Sequence, residues 1–216
     1  MKRAAFLLDA MATAVVVASG VALAVSIQCP NREDGTCVGT PNGDRITGTP
    51  DPDFIRARGG GGDVLGARGG ADLSIGGAGA DRVRGQAGPD EVLGGSLSFD
   101  PVSGLFSFVD AQDDVVRGGD GDDPTVAGGF GRGGRDRLYG GDGDDTLYSA
   151  QRGFPLPGDV RINRETVDCG PGQDTAYVDR GVDEVKGNCE TVVDGFPATA
   201  AARGSSGAGL FGGAPE

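Results

Sequence analysis

The sequence predicts an all-β fold, a parallel β-roll (β-solenoid) of stacked 18-residue coils with disulfide-closed caps. Three observations carry this. Glycine fills 43 of 216 positions and hydrophobic residues make up only 37%, too little apolar material for one large close-packed core. The 32 acidic residues divide into 26 Asp and 6 Glu, a bias toward turn formers and away from helix formers that excludes an all-α fold. Finally, Asp recurs every nine residues with an apolar residue two places behind it. A disordered acidic linker would share the composition, but nothing would hold an apolar residue at a fixed place in each repeat.

Taken in order, the chain starts with Met1-Lys2-Arg3 and an uncharged, mostly apolar run from Met11 to Val25 that ends near Ala22-Leu23-Ala24. These predict a signal peptide over 1–24, cut after Ala24. The rival is an uncleaved anchor, since Ala4 to Ile27 could span a bilayer with Asp9 near one end. Either route leads out of the cytosol, where calcium is plentiful and disulfides persist. Residues 25–38, with Cys29 and Cys37, are expected to cap the roll.

The repeat region spans 39–148. Asp44, Asp53, Asp63, Asp72, Asp81 and Asp90 lie 9, 10, 9, 9 and 9 residues apart, and Asp114, Asp123, Asp136 and Asp145 resume at 9, 13 and 9. Local sequence keeps returning to one form: G-G-A-G-A-D-R-V-R at 76–84, G-G-D-G-D-D-P-T-V at 118–126 and G-G-D-G-D-D-T-L-Y at 140–148. Two places after the Asp stand Ile46, Ile55, Leu65, Val83, Val92, Val116, Leu138 and Leu147, with Ser74 and Thr125 as exceptions. These units resemble the RTX (haemolysin-type) calcium-binding repeats, whose glycine-rich nonapeptide builds a β-roll. Units 85–93 and 131–139 lack only the second Gly, while 39–47, 49–56 and 67–75 depart further.

The physics of such a unit explains its letters. Six residues turn, with Gly permitting positive φ and close backbone approach, and three form a strand whose middle side chain points inward. Two nonapeptides complete one coil. Stacking then puts Asp44, Asp63, Asp81, Asp114 and Asp136 on one edge, and Asp53, Asp72, Asp90, Asp123 and Asp145 on the other. Carboxylates one strand spacing apart, ~4.8 Å, repel, and an intervening cation reverses the sign.

Calcium accepts six to eight oxygens in flexible geometry, whereas zinc would want Cys or His. The best candidate ion lies between Gly118-Gly119-Asp120-Gly121 and Gly140-Gly141-Asp142-Gly143, with Asp123 and Asp145 as side-chain ligands. Asp63 with Asp81, the latter following Gly76, Gly77 and Gly79, and Asp72 with Asp90 come next. Asp114 with Asp136 is weaker, because Ala127-Gly128-Gly129-Phe130 lengthens a turn on that edge.

Beyond the repeats, 96–110 is a 15-residue insertion with alternating Leu97, Phe99, Leu105, Phe106 and Phe108. It reads as a hairpin that either packs over the roll or offers an apolar contact to a protein or cell-surface partner. Residues 149–165 form a crossover. Residues 166–195 make a closing coil and cap in which Asp174 and Asp183 keep the period, and 196–216 are a low-complexity, disordered tail. Counting 18 residues from Cys169 reaches position 187, and Cys189 two places further on lies in the same turn edge, so Cys169 should pair with Cys189 and Cys29 with Cys37.

The functional classes narrow accordingly. With His absent and net charge -13, the chain lacks a Ser-His-Asp or His-zinc centre and suits neither nucleic acid nor anionic membranes. Ten near-equivalent Asp residues make a poor active site. We expect no enzyme, but a secreted protein of about six coils that takes Ca2+ as its only cofactor, folds with it, and has a structural or adhesive role at the cell surface. The alternatives are a metal-independent solenoid surface protein and a secretion or chaperone-like module of an exported enzyme.

Overall fold

The computed structural model describes residues 25–30, 36–100, 105–109, 111–129, 134–151 and 162–195, and every regular element among them is a strand. The chain winds between two sheets, one strand in each per coil. The first coils hold β1 (Val25–Gln28) with β2 (Thr36–Val38), β3 (Asp44–Thr47) with β4 (Phe54–Arg56), and β5 (Val64–Gly69) with β6 (Leu73–Gly77). Next come β7 (Arg82–Ala87) and β8 (Glu91–Asp100), then β9 (Leu105–Val109), which belongs to neither wall. β10 (Val115–Asp120) with β11 (Thr125–Ala127), β12 (Arg137–Asp142) with β13 (Thr146–Tyr148), β14 (Thr166–Asp168) with β15 (Thr175–Val178), and β16 (Glu184–Val185) with β17 (Thr191–Asp194) complete the winding.

One wall runs β1-β3-β5-β7-β10-β12-β14-β16 and the other β2-β4-β6-β8-β11-β13-β15-β17, a parallel β-solenoid of about seven turns. This exceeds the expected six, because residues assigned to an N-terminal cap stack as a further coil: Ile27 pairs with Ile46 and Cys37 with Ile55.

The core follows from strand alternation. Ile46, Leu65, Val83, Val116, Leu138 and Val167 line one wall; Ile55, Val92, Val126, Leu147 and Ala176 line the other, and all are buried. Arg45, Arg56, Arg82, Arg84 and Arg137 point outward. A second stripe lies on the outer face of the β2-containing wall, where Ile75, Leu93 and Ala127 are buried against Phe54, Leu73, Tyr148 and Tyr177. There the rings of Tyr148 and Tyr177 stack at 5.0 Å.

The register departs from simple counting at three places. Thr125 is not the inward residue of its unit: Pro124 adds one position, so Val126 pairs with Val92 and Leu147. The last coil is shorter than 18 residues, since Ala176 pairs with Val192. Glu190 therefore stands where the repeat Asp would be. Asp179 is fully buried, because a tight turn at 179–183 folds it under Gln151, whose N–H it accepts at 2.8 Å.

The insertion forms a hairpin, with β8 running on past the wall to pair antiparallel with β9, Leu97 opposite Phe108 and Phe99 opposite Phe106. The side chains of 97–109 lie outside the described residues, as do the expected signal segment 1–24, most of the expected crossover and the expected tail 196–216. Both expected disulfides are present, Cys29–Cys37 and Cys169–Cys189, with Cα separations of 5.3 and 5.2 Å. Each ties a turn at one end of the solenoid.

Candidate metal centre

The two Asp rows occupy the two edges where the walls meet. On the first edge the backbone N–H of Asp63 donates to Oδ1 of Asp81 at 2.7 Å, that of Asp81 to Asp114 at 2.7 Å, and that of Asp114 to Asp136 at 3.0 Å. On the second, Asp72 donates to Asp90 at 2.9 Å, Asp90 to Asp123 at 2.8 Å, Asp123 to Asp145 at 2.9 Å and Asp145 to Asp174 at 2.8 Å. The insertion does not interrupt the stacking, since partners 33 residues apart still meet. All the sequence-predicted pairs are neighbours along their edge. The carboxylates do not simply face one another, however: one oxygen of each is fixed by the neighbouring backbone.

The other oxygen turns under the glycines of its own turn. A methyl group at Gly118 would collide with Oδ2 of Asp123, one at Gly140 with Oδ2 of Asp145, and one at Gly76 with Oδ2 of Asp81. So at these three turns the first position takes Gly because the carboxylate occupies the space of a side chain. Gly119 and Gly141 adopt φ of +142° and +131°, which a Cβ would resist. Where units 67–75 and 85–93 lack that second Gly, Arg68 and Gln86 take the same conformation at φ of +87°. In the lengthened turn Gly128 lies against Asp136, and Gly129 N–H donates to Asp136 Oδ2 at 2.9 Å.

What happens to the second oxygen separates two kinds of turn. In the first two repeat units, Oδ2 of Asp44 accepts from Thr40 N–H at 2.6 Å, and Oδ2 of Asp53 accepts from Thr49 N–H at 2.6 Å and the Thr49 hydroxyl at 3.1 Å. A threonine stands there in place of the second Gly and supplies the donors. Oδ2 of Asp63, Asp72, Asp90, Asp123, Asp145 and Asp174 is buried with no donor. Burying such an oxygen without a partner is costly.

Electrostatics report the same strain. Burial pushes Asp72, Asp123 and Asp145 up to about 7, and Asp63 and Asp90 to about 6, against 3.8 for an ordinary Asp. The carboxylates of the adjacent coils add to this at Asp72 and Asp123. Glu165 is pushed to about 10, by burial first and then by Asp183.

The donor set is oxygen throughout, carboxylate plus glycine carbonyl, which fits a hard divalent cation and calcium above magnesium. Among the described residues no three acidic side chains converge as a cage. Backbone carbonyls of the turns must therefore complete any coordination shell. Sequence reasoning missed Asp174 as a member of the second edge row, and Glu165 and Glu190 as the residues that stand in for Asp in the closing coils. For Asp174 the signal was its nine-residue spacing from Asp183; the two Glu lie where coil length departs from 18.

The family model of the RTX calcium-binding nonapeptide repeat matches the chain in four copies, at 38–73, 66–96, 108–132 and 129–151. The matches cover both Asp rows as far as Asp145 and stop before Glu165. No curated protein and no solved structure matches the chain.

Proposed function

Since the chain carries RTX calcium-binding nonapeptide repeats, we propose that it is an exported structural protein whose turns close around calcium ions, with an adhesive role at the cell surface. The observation that carries this reading is the set of buried Asp Oδ2 atoms without donors, at Asp63 on the first edge and at Asp72, Asp90, Asp123, Asp145 and Asp174 on the second. Calcium supplies a positive charge and the missing partner at once. Asp123 and Asp145 hold the first ion together with carbonyls of Gly118, Gly119, Gly121, Gly140, Gly141 and Gly143. Further ions lie at Asp63 with Asp81 (beside Gly76, Gly77 and Gly79), at Asp72 with Asp90, and at Asp114 with Asp136. The repeats have no catalytic role. Export is supported by the basic start followed by an apolar run and by two disulfides that suit an oxidising compartment.

Folding is coupled to the ions. Each coil orders about 18 residues, at roughly 1–2 kcal/mol each, around only two or three small aliphatic side chains. A metal-independent solenoid is the second reading, favoured by the threonine-satisfied turns at Asp44 and Asp53. Calorimetric calcium titration with circular dichroism separates the two. The proposed function expects several ions bound over about 0.1–1 mM, the range of extracellular modules, with strand signal lost on chelation. A spectrum and heat trace indifferent to calcium would leave the metal-independent solenoid.

A further inference from the structure

Past the last matched repeat, the first edge ends in a polar cluster of a different make. Glu165 takes the place of the repeat Asp, since Thr166 pairs with Arg137 on one side and Glu184 on the other. It is 1% exposed, and Gln151 beside it is 3% exposed. Gln151 Nε2 donates to Glu165 Oε1 at 3.0 Å. Glu165 N–H points to Asp183 Oδ1 at 3.3 Å. Asp183 Oδ2 accepts from the Ser149 hydroxyl and from Asp179 N–H, both at 2.8 Å.

The donors in these hydrogen bonds, an amide, a hydroxyl and two backbone N–H groups, are all neutral. Among the described residues the basic side chains of these segments are engaged elsewhere: Arg164 and Lys186 both pair with exposed Glu184 at 3.1 Å, and Arg180 donates to the Val192 carbonyl at 2.6 Å. Two oxygens are left over, Glu165 Oε2 and Gln151 Oε1, both buried and without a donor. They belong to side chains already joined by a hydrogen bond, with the Asp183 carboxylate alongside. Burying one carboxylate beside another without a cation is strongly unfavourable. An amide oxygen turned inward with no donor marks the place as built for something that accepts oxygen lone pairs.

We infer that Glu165, Asp183 and the Gln151 amide oxygen form a further calcium site, distinct in its ligands from the nonapeptide turns. It uses a longer carboxylate and a side-chain amide where the repeats use Asp and glycine carbonyls. The donors are again all oxygen, and mixed carboxylate and amide ligation suits calcium. Such an ion would tie Gln151, at the start of the crossover, to Glu165 at its end and to Asp183 in the closing turn. The site does not depend on the repeats binding calcium.

The test is calorimetric calcium titration of the full chain and its variants, each checked for native circular dichroism at saturating calcium. Glu165→Gln and Asp183→Asn should each lose one bound ion, while exposed Glu184→Gln should lose none. Unchanged stoichiometry in the first two, with a more stable calcium-free protein, would overturn the site and show Glu165 to be a buried neutral acid. If Asp145→Asn loses an ion and Glu165→Gln does not, this site fails and the repeat sites stand; the reverse result rejects the repeat assignment alone. Should both cluster variants fail to fold, anomalous scattering from calcium-soaked crystals of the unmodified chain decides it. A peak about 2.3–2.6 Å from Glu165 Oε2 supports the site, and none there overturns it.

Discussion

The backbone N–H of Asp123 donates to Oδ1 of Asp145 at 2.9 Å, although the two lie 22 residues apart. One carboxylate oxygen thus joins two coils without metal, and the other, Oδ2, is buried with no donor. That division of labour within a single side chain separates what holds the solenoid together from what binds an ion.

Asp145→Asn should test the division directly. The amide oxygen can still accept from Asp123, while its NH2 group replaces the orphaned oxygen and removes the charge. The calcium-free variant should be at least as stable as the parent, and calcium affinity at that site should fall tenfold or more, about 1.4 kcal/mol. Asp123→Asn should act on the same ion, so the double variant should cost less than the sum of the singles. Thermal melts with and without chelator, together with titration calorimetry, measure both.

The raised carboxyls fix the pH response. Asp72, Asp123 and Asp145 near 7, and Asp63 and Asp90 near 6, bind protons in the folded state that an unfolded Asp near 3.8 has already lost. Between about pH 4 and 7 the native state therefore holds more protons, and stability of the calcium-free protein should fall as pH rises. Calcium must displace those protons, so its affinity should weaken from pH 7.5 to 5.5 with measurable proton release. Chelated protein that grows more stable toward neutral pH would contradict this.

Glycine positions should differ sharply in tolerance. Gly118→Ala drives a methyl into Asp123 Oδ2 and should cost about 2 kcal/mol or more. Gly187→Ala meets nothing within 4 Å and should be nearly neutral. Gln86→Gly relieves a side chain held at φ +87° and should stabilise by roughly 1 kcal/mol. Chemical denaturation at saturating calcium reads all three.

Replacing Cys169 and Cys189 together by Ser should cost about 3 kcal/mol by the loop-entropy relation for their separation of 20 residues. That corresponds to a Tm lower by roughly 6–12 °C. Calorimetric melting checks it, and an unchanged Tm would show that the final coil contributes nothing to the cooperative unit.

Asp179 and Asp120 look alike in sequence but should behave differently. Asp179→Ala strips the acceptor from the buried Gln151 N–H and should cost about 1–3 kcal/mol. Asp120 is exposed, and its replacement by Ala should stay within about 0.5 kcal/mol. Urea unfolding of the two variants gives the comparison.

The sequence alone determined the solenoid, its two Asp edges, its inward aliphatic residues and both disulfide partners. Each follows from a strictly local code, a nine-residue unit in which Gly makes the turn and the residue two after Asp makes the core, so counting positions suffices. Counting fails where a coil changes length. Pro124 shifted the inward place from Thr125 to Val126, the closing coil dropped below 18 residues and put Glu190 in the Asp row, and the turn at 179–183 buried Asp179. The tertiary structure also decided which Asp oxygens are already satisfied. Thr40 and Thr49 serve Asp44 and Asp53, whereas the later carboxylates bond across coils to backbone donors, an arrangement set by stacking in space. The Gln151, Glu165 and Asp183 cluster arises in part the same way: Glu165 and Asp183 lie one 18-residue coil apart, but Gln151 stands outside the period, and only the return of the chain to the first edge brings its oxygen to theirs.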